Sequence, residues 1–410
     1  TGGTTVDASS LPAGLAVSGG GASRIFNVAS GGNLTLRSLT LTGGNADGGG
    51  AITNDGMLLL DRCALTGNAS TTNGGALRNN NLLTATRCTF SGNTAVTNGG
   101  AVTGNSGTAE FISCTFSGNA TTGPTQGGGA LNHASGAIAM TLTHCTIAGN
   151  SSAGSEGGGG IRNRGTGLTV ENSIVAGNTI TAGTGADFNS TETLTRSGAN
   201  VIGSRATVLA PFPAGAPNAN GDYVGTAGAP MPALLAPLAS YGGPTQTLAL
   251  LPGSPARNAA TGTATSDQRG FPIIGTPDIG AYEAGNNLAT IYNAWIWETL
   301  PAIATTPQHA TTFDFDGDGQ TNEAEWLALT DAANPNSRFA ATPARNGANL
   351  EITVPTAAGR IYTLLQSGTL VGGSWSAAPG FTPQPGTGIP IIFQVPIAST
   401  RMFYSVQVSP

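Results

Sequence analysis

"CTFSGN" is spelled at 88–93 and again at 114–119, 26 residues later. A cysteine beside a hydroxyl residue resembles the start of a nucleophilic site, but its neighbours point to one rung of a repeat. "LLLDRCALTGN" runs from Leu58, "LTATRCTFSGN" from Leu83 and "AEFISCTFSGN" from Ala109. "MTLTHCTIAGN" follows from Met140 and "LTVENSIVAGN" from Leu168, while "LTLRSLTLTGGN" from Leu34 fits with one inserted Gly. The steps between rungs are 24, 25, 26, 31 and 28 residues.

Within a rung, Leu58 and Leu60 share one face by period-2 alternation, as do Cys63 and Leu65. The gap from Leu60 to Cys63 is three residues, so a straight strand would turn Cys63 outward. A bend near Asp61 and Arg62 returns it inward. "GGAI", "GGAL", "GGAV", "GGAL" and "GGGI" end at Ile52, Leu77, Val102, Leu131 and Ile161. They supply a third strand and its glycine corner. Such units, repeated about every 25 residues, predict a mainly β chain folded as a parallel β-helix.

Two columns follow from the register. Cys63, Cys88, Cys114 and Cys145, continued by Ser173, are expected as small inward core residues. Asn68, Asn93, Asn119, Asn150 and Asn178 are expected as a ladder of stacked amides. Asn68, Asn119 and Asn150 also match glycosylation sequons, but a ladder amide is sequestered.

Composition narrows function. Only 9% of residues are charged, no Lys is present, and the net charge is -6. Nothing supplies a basic stripe for nucleic acid, and no apolar stretch approaches the ~20 residues of a membrane-spanning helix. The expectation is a chain that binds no nucleic acid and does not insert into membranes. It opens at Thr1 without Met or leader and so reads as a processed or trimmed product. All four Trp and all six Tyr lie at or after Tyr223, so the repeats hold no aromatic sugar platform.

The repeat "GGA[ILV] … CTFSGN" is similar to those of polymorphic outer-membrane adhesins. "SGANVIGS", "LLPGSPARNAA" and "DQRGFPIIGTPDIGAYE" resemble the choice-of-anchor Q domain of bacterial secreted proteins. The resemblance covers roughly residues 1–285. It implies a right-handed parallel β-helix, exported from a bacterial cell and mostly without catalysis.

The sharpest chemical signal is "DFDGDGQTNEAE". Asp314, Asp316 and Asp318 stand at positions 1, 3 and 5 of a twelve-residue loop. Gly319 is at 6, Gln320 at 7, Asn322 at 9 and Glu325 at 12. This is the EF-hand calcium pattern: hard oxygen ligands, a glycine turn and a final bidentate carboxylate. The expected metal ligands are therefore Asp314, Asp316, Asp318, Gln320, Asn322 and Glu325, with Ca2+ as cofactor. "EAEWLALTDAA" reads as the exiting helix and 286–304 as a preceding one. The segment resembles dockerin-like and thrombospondin type-3-like calcium modules, although true dockerins carry two such loops.

Three domains are expected: the β-helix over 1–285, a helical calcium-binding segment over 286–336, and a small β-sandwich over 337–410. Asp267, Arg269, Asp278 and Glu283 form the densest charge group and are expected to close the solenoid end with buried ion pairs. The functional expectation is a non-catalytic, extracellular structural or adhesive protein at the cell surface, self-associating end to end into a fibre. The alternatives are a carbohydrate-active β-helix enzyme and a monomeric adhesin for surface glycans.

Overall fold

The computed structural model describes residues 3–11, 14–208, 210–286, 291–301, 303–371, 374–397 and 401–410. The chain divides into two compact units, Thr1–Asn286 and Asn287–Pro410. The first is a parallel β-solenoid. One coil shows its rule, with strands at Ile52–Asn54, Met57–Asp61, Ala64–Thr66 and Ala69–Ser70. Each pairs in register with the next coil: Ile52 with Leu77, Leu58 with Leu83, Leu65 with Phe90 and Ala69 with Thr94. Among the described residues these strands stack into four parallel sheets of seven, eight, nine and six strands. Three strands per coil were expected. The fourth is two residues long, too short to show alternation.

The parity break has a definite cause. Ser38, Arg62, Arg87, Ser113, His144 and Asn172 all sit in the left-handed region, with φ 53° at Arg62 and 55° at Arg87. One left-handed residue turns the corner and sends the following Cys63 inward. That geometry costs an ordinary residue about 1–2 kcal/mol. It is offset by burying Leu60 and Cys63, both fully enclosed, on either side of the corner. The Gly-Gly corner is stricter. Gly74 has φ 66°, and a Cβ on Gly75 would lie 2.1 Å from Gly100 O in the next coil. The first glycine is needed for its backbone angle and the second for close coil approach.

Inside, columns of like side chains fill the core. Phe90 and Phe116 stack at 4.7 Å, with Phe111 edge-on to both. This spacing matches that of neighbouring strands. All four cysteines are free and buried. Cys63 N donates to Cys88 Sγ and Cys88 N to Cys114 Sγ, each at 3.4 Å. Ser173 takes the same place for Cys145 N at 3.0 Å. Burial pushes the Cys88 and Cys114 thiols far up, so these are inert core groups.

The asparagine ladder forms as well. Asn68 N and Nδ2 both donate to Asn93 Oδ1, at 3.0 Å each. The same pair of bonds links Asn93 to Asn119, Asn119 to Asn150 and Asn150 to Asn178. The sequon residues Asn68, Asn119 and Asn150 are buried. Each column ends on a carboxylate that the sequence did not announce. Asn178 N and Nδ2 donate to Asp187 Oδ1 at 3.0 and 2.8 Å. The cysteine column passes through Ser173 and Asn200 to Asp222 Oδ1.

The two ends of the solenoid differ. At the C-terminal end Val208 and Phe212 join the core, with Phe212 packed 6.2 Å from Phe188. At the N-terminal end Val6, Val17, Ile25 and Phe26 are only partly buried.

The expected end closure by Asp267, Arg269, Asp278 and Glu283 is not what forms. These residues belong to a strap along the flank. Gln268 Nε2 donates to Thr89 Oγ1 at 2.9 Å, Thr115 Oγ1 donates to Gln268 Oε1 at 2.6 Å, and Ala281 N donates to Thr146 Oγ1 at 3.0 Å. Thr89, Thr115 and Thr146 are matched positions on three successive middle coils. Once covered, their hydroxyls need partners, and the strap supplies them. The ion pair is buried as expected but braces the strap itself. Arg269 Nε lies 2.7 Å from Asp267 Oδ2, and its guanidinium 3.7 Å over the Tyr282 ring. Ile274 N and Asp278 N donate to the Glu283 carboxylate.

In the second unit, helix α1 is Tyr292–Thr299 and helix α2 is Asn322–Ala328. Residues 287–290 and 302 of the helix expected over 286–304 lie outside the described residues. Thr342–Asn346, Asn349–Val354 and Ile391–Pro396 form one antiparallel sheet. Ile361–Ser367 is central to the other, pairing with Ser376–Ala377, Gln384–Pro385 and Phe403–Ser409. Ile352, Val354, Tyr362, Leu364, Phe393 and Val395, drawn from both sheets, share one core. No helix of the described residues is long and apolar enough to cross a membrane.

Candidate metal centre

The loop at 314–325 is shaped first by its own aspartates. Asp314 Oδ1 accepts from Gly317 N at 2.8 Å and Asp318 N at 3.2 Å, and its Oδ2 accepts from Gly319 N at 2.8 Å. Asp316 Oδ1 accepts from Asp318 N, and Asp318 Oδ1 from Gln320 N at 2.7 Å. Gly317 and Gly319 have φ 76° and 95°, angles that fold the chain tightly around these acceptors. Carboxylate oxygens of Asp314, Asp316 and Asp318 thereby lie within 4.8 Å of one another, a group suited to holding a metal ion.

Glu325, on α2, stays outside that 4.8 Å group but lies near enough to feel all three charges. It is fully buried, and neither of its carboxylate oxygens has a hydrogen-bond partner. Asp316 Oδ2 is likewise unpartnered. Burial, joined by the charges of Asp316, Asp318, Asp314 and Asp331, pushes the Glu325 carboxyl up to about 7. Burial also raises Asp316, with Asp318 and Asp314 adding to it. A buried carboxylate with free lone pairs among other carboxylates is costly unless a cation joins it. The donors are all hard oxygens, the set that suits divalent calcium or magnesium.

The other two predicted ligands behave differently. The Gln320 side chain is engaged elsewhere: its Nε2 donates to Phe339 O and its Oε1 accepts from Phe339 N, both at 3.3 Å. Only its backbone carbonyl stays available, as loop position 7 requires. Asn322 turns its Nδ2 to the carbonyls of Gln308 and Ala310, at 2.8 and 2.9 Å. Its Oδ1 is buried without a partner. The structure thus gathers Asp314, Asp316 and Asp318, sets Glu325 among their charges, and commits the Asn322 amide nitrogen to the preceding segment.

Residues missed in the sequence surround the loop. Arg338 Nε lies 3.0 Å from Asp318 Oδ2, an ion-pair contact rather than an aligned hydrogen bond. Arg360 is buried and donates through Nε to Leu327 O at 2.8 Å and through a terminal nitrogen to Trp326 O at 2.5 Å. Its guanidinium stands 5.1 Å from the Trp326 ring centre. A cation at the C-terminal carbonyls of α2 is favourably placed. Arg360 lies 33 residues beyond Leu327, so no local sequence pattern links them.

Compared with known proteins, the chain matches no protein-family model, no curated protein and no solved structure.

Proposed function

We propose that this is a non-catalytic, extracellular structural or adhesive protein whose solenoid associates with further copies end to end, and whose loop at 314–325 binds Ca2+. The observation that supports the assembly reading is the open N-terminal coil. Its strands Thr4–Asp7, Leu15–Ser18 and Phe26–Val28 are the first strands of their sheets. Val6, Val17 and Phe26 on these strands remain partly exposed, while Val208 and Phe212 fill the opposite end. Unpaired edges over half-buried apolar groups favour strand pairing with another chain. The buried Glu325 carboxylate supports the calcium reading, and millimolar calcium outside cells would fill even a weak site.

Light scattering across a concentration series in calcium tests the assembly. Growth in mass is the expected result, and electron microscopy then separates filaments from pairs joined at their open ends. Monodisperse monomers at high concentration would sink the assembly reading.

A second reading has its own supporting feature. A groove of about 420 Å3 runs between the corner column of Arg87, Ser113, His144 and Asn172 and the strap at 261–266. Thr261, Thr263, Thr265 and Ser266 line it, hydroxyl-bearing residues of the kind that suits a glycan. Glu171 is the one carboxylate among its described lining residues, whereas glycoside hydrolysis needs two. This favours binding over catalysis. A glycan array tests the adhesin reading, and release of reducing or unsaturated sugar ends would instead make it an enzyme.

A further inference from the structure

We infer that the loop at 314–325 and the C-terminal sandwich are one cooperative body, in which an ion held by the loop sets the stability of both sheets through α2 and Arg360. The inference rests on the metal-binding reading of the loop and adds what the ion controls.

Helix α2 has seven residues, too few to be stable without contacts at its ends. At its start, Thr321 caps the helix by accepting from Ala324 N at 3.4 Å. Glu325, in its first turn, faces the charges of Asp314, Asp316 and Asp318. Four like charges around one helix end repel. A divalent cation reverses the sign of that interaction and draws Glu325, and with it α2, onto the loop.

At the other end, Arg360 holds the carbonyls of Trp326 and Leu327. Arg360 directly precedes the strand Ile361–Ser367, which pairs with three others. A buried guanidinium is stable only while its acceptors stay in place. If α2 frays, its carbonyls leave Arg360, and the central strand loses the anchor at its entry.

Two further ties run from the loop to the sheets. The Gln320 amide makes both of its bonds to the Phe339 backbone, and the Phe339 ring stacks 6.2 Å from Tyr362. Tyr362 is fully buried in the core shared by the two sheets. Arg338, beside Phe339, pairs with Asp318. Three contacts thus leave a twelve-residue loop and its helix for one sandwich, and each begins within two residues of an expected ligand. Binding energy gained at the loop becomes stability of the sheets by linkage.

The test is hydrogen exchange on the full chain with calcium and with excess chelator, paired with calorimetric calcium titration. The expected result is about tenfold slower exchange in 361–367 and 391–396 with calcium, and no change in the solenoid segment 57–66. Arg360→Met should bind calcium with an affinity within about threefold of wild type, yet lose most of the calcium-dependent protection at 391–396. If Arg360→Met does not fold, Gln320→Ala replaces it. That variant keeps the loop's backbone carbonyl, removes the tie to Phe339, and should lower the calcium-dependent protection about twofold or more.

Calcium binding in the titration without any change in sheet exchange would overturn the inference and leave the metal site standing. No binding in the titration would overturn both. Full calcium-dependent protection in Arg360→Met, or in Gln320→Ala where it stands in, would overturn the route through these residues.

Discussion

In the solenoid each coil is held by copies of itself; in the C-terminal unit a single loop has no copy to lean on. Asn119 bonds to Asn93 on one side and Asn150 on the other, so each rung's polar groups are satisfied by the next. The loop at 314–325 leaves carboxylate oxygens of Asp316 and Glu325 without hydrogen-bond partners and draws on a distant residue, Arg338, while Arg360 braces the helix that follows. Repetition spreads stability over many equal contacts, so damage to one coil should stay local and graded. The C-terminal arrangement concentrates it, so damage there should spread through the whole unit.

The largest predicted effect tests that concentration. Asp314→Ala removes the acceptor of three backbone N–H groups along with one proposed metal ligand. It should destabilise the C-terminal unit by about 3 kcal/mol or more and leave the solenoid unchanged. Two-transition calorimetry reads this directly, and a matching loss in both units would erase the contrast. Next comes a break within the ladder. Asn119→Ala leaves Asn93 N and Nδ2 without their acceptor in a buried site, at a cost of about 2–4 kcal/mol to the solenoid. Urea unfolding followed by circular dichroism measures it.

A smaller effect is pH-dependent. Burial pushes the Asp187 carboxyl up to about 6, against its ordinary 3.8. With its pKa raised in the folded state, this group takes up its proton on the folded chain first. Folding is therefore favoured as pH falls through that window. His133 and His144, both lowered by burial, act in the opposite sense. They cancel when wild type is compared with Asp187→Asn. From pH 8 to pH 5 the stability of wild type relative to Asp187→Asn should rise by about 1 kcal/mol, as shown by melts at the two pH values. The smallest effect is expected from Cys88→Ser, since Ser173 already fills that position in the same column. A loss of about 1 kcal/mol in solenoid stability is expected, with assembly by light scattering unchanged. Abolished assembly in a well-folded Cys88→Ser protein would give the thiol a role beyond packing.

Repetition also decided how much of the molecule was legible. The three-residue gap between Leu60 and Cys63 recurs in every rung, and strand parity turns it into a corner. The residue at that corner was harder to identify, because Arg62, Arg87 and Ser113 are not types that advertise a left-handed backbone. The strap could not be placed, because Gln268 meets Thr89 from 179 residues away. In the loop at 314–325, alternating aspartates and a glycine announce their own geometry. Its anchors were silent for the same reason as the strap: Arg360 acts across 33 residues.

The asparagine ladder has one further consequence, and it is electrical. Every Oδ1 in the column accepts from the coil before it, and every amide sends one N–H to the coil after it. The carbonyl dipoles therefore point the same way along the solenoid axis and reinforce one another. Such a row has a positive pole where its last N–H groups emerge, much as a helix does at its N-terminus. That pole lies at Asn178, and the Asp187 carboxylate stands against it. The column of amides is thus a polarised wire with its counter-charge built in at one terminus.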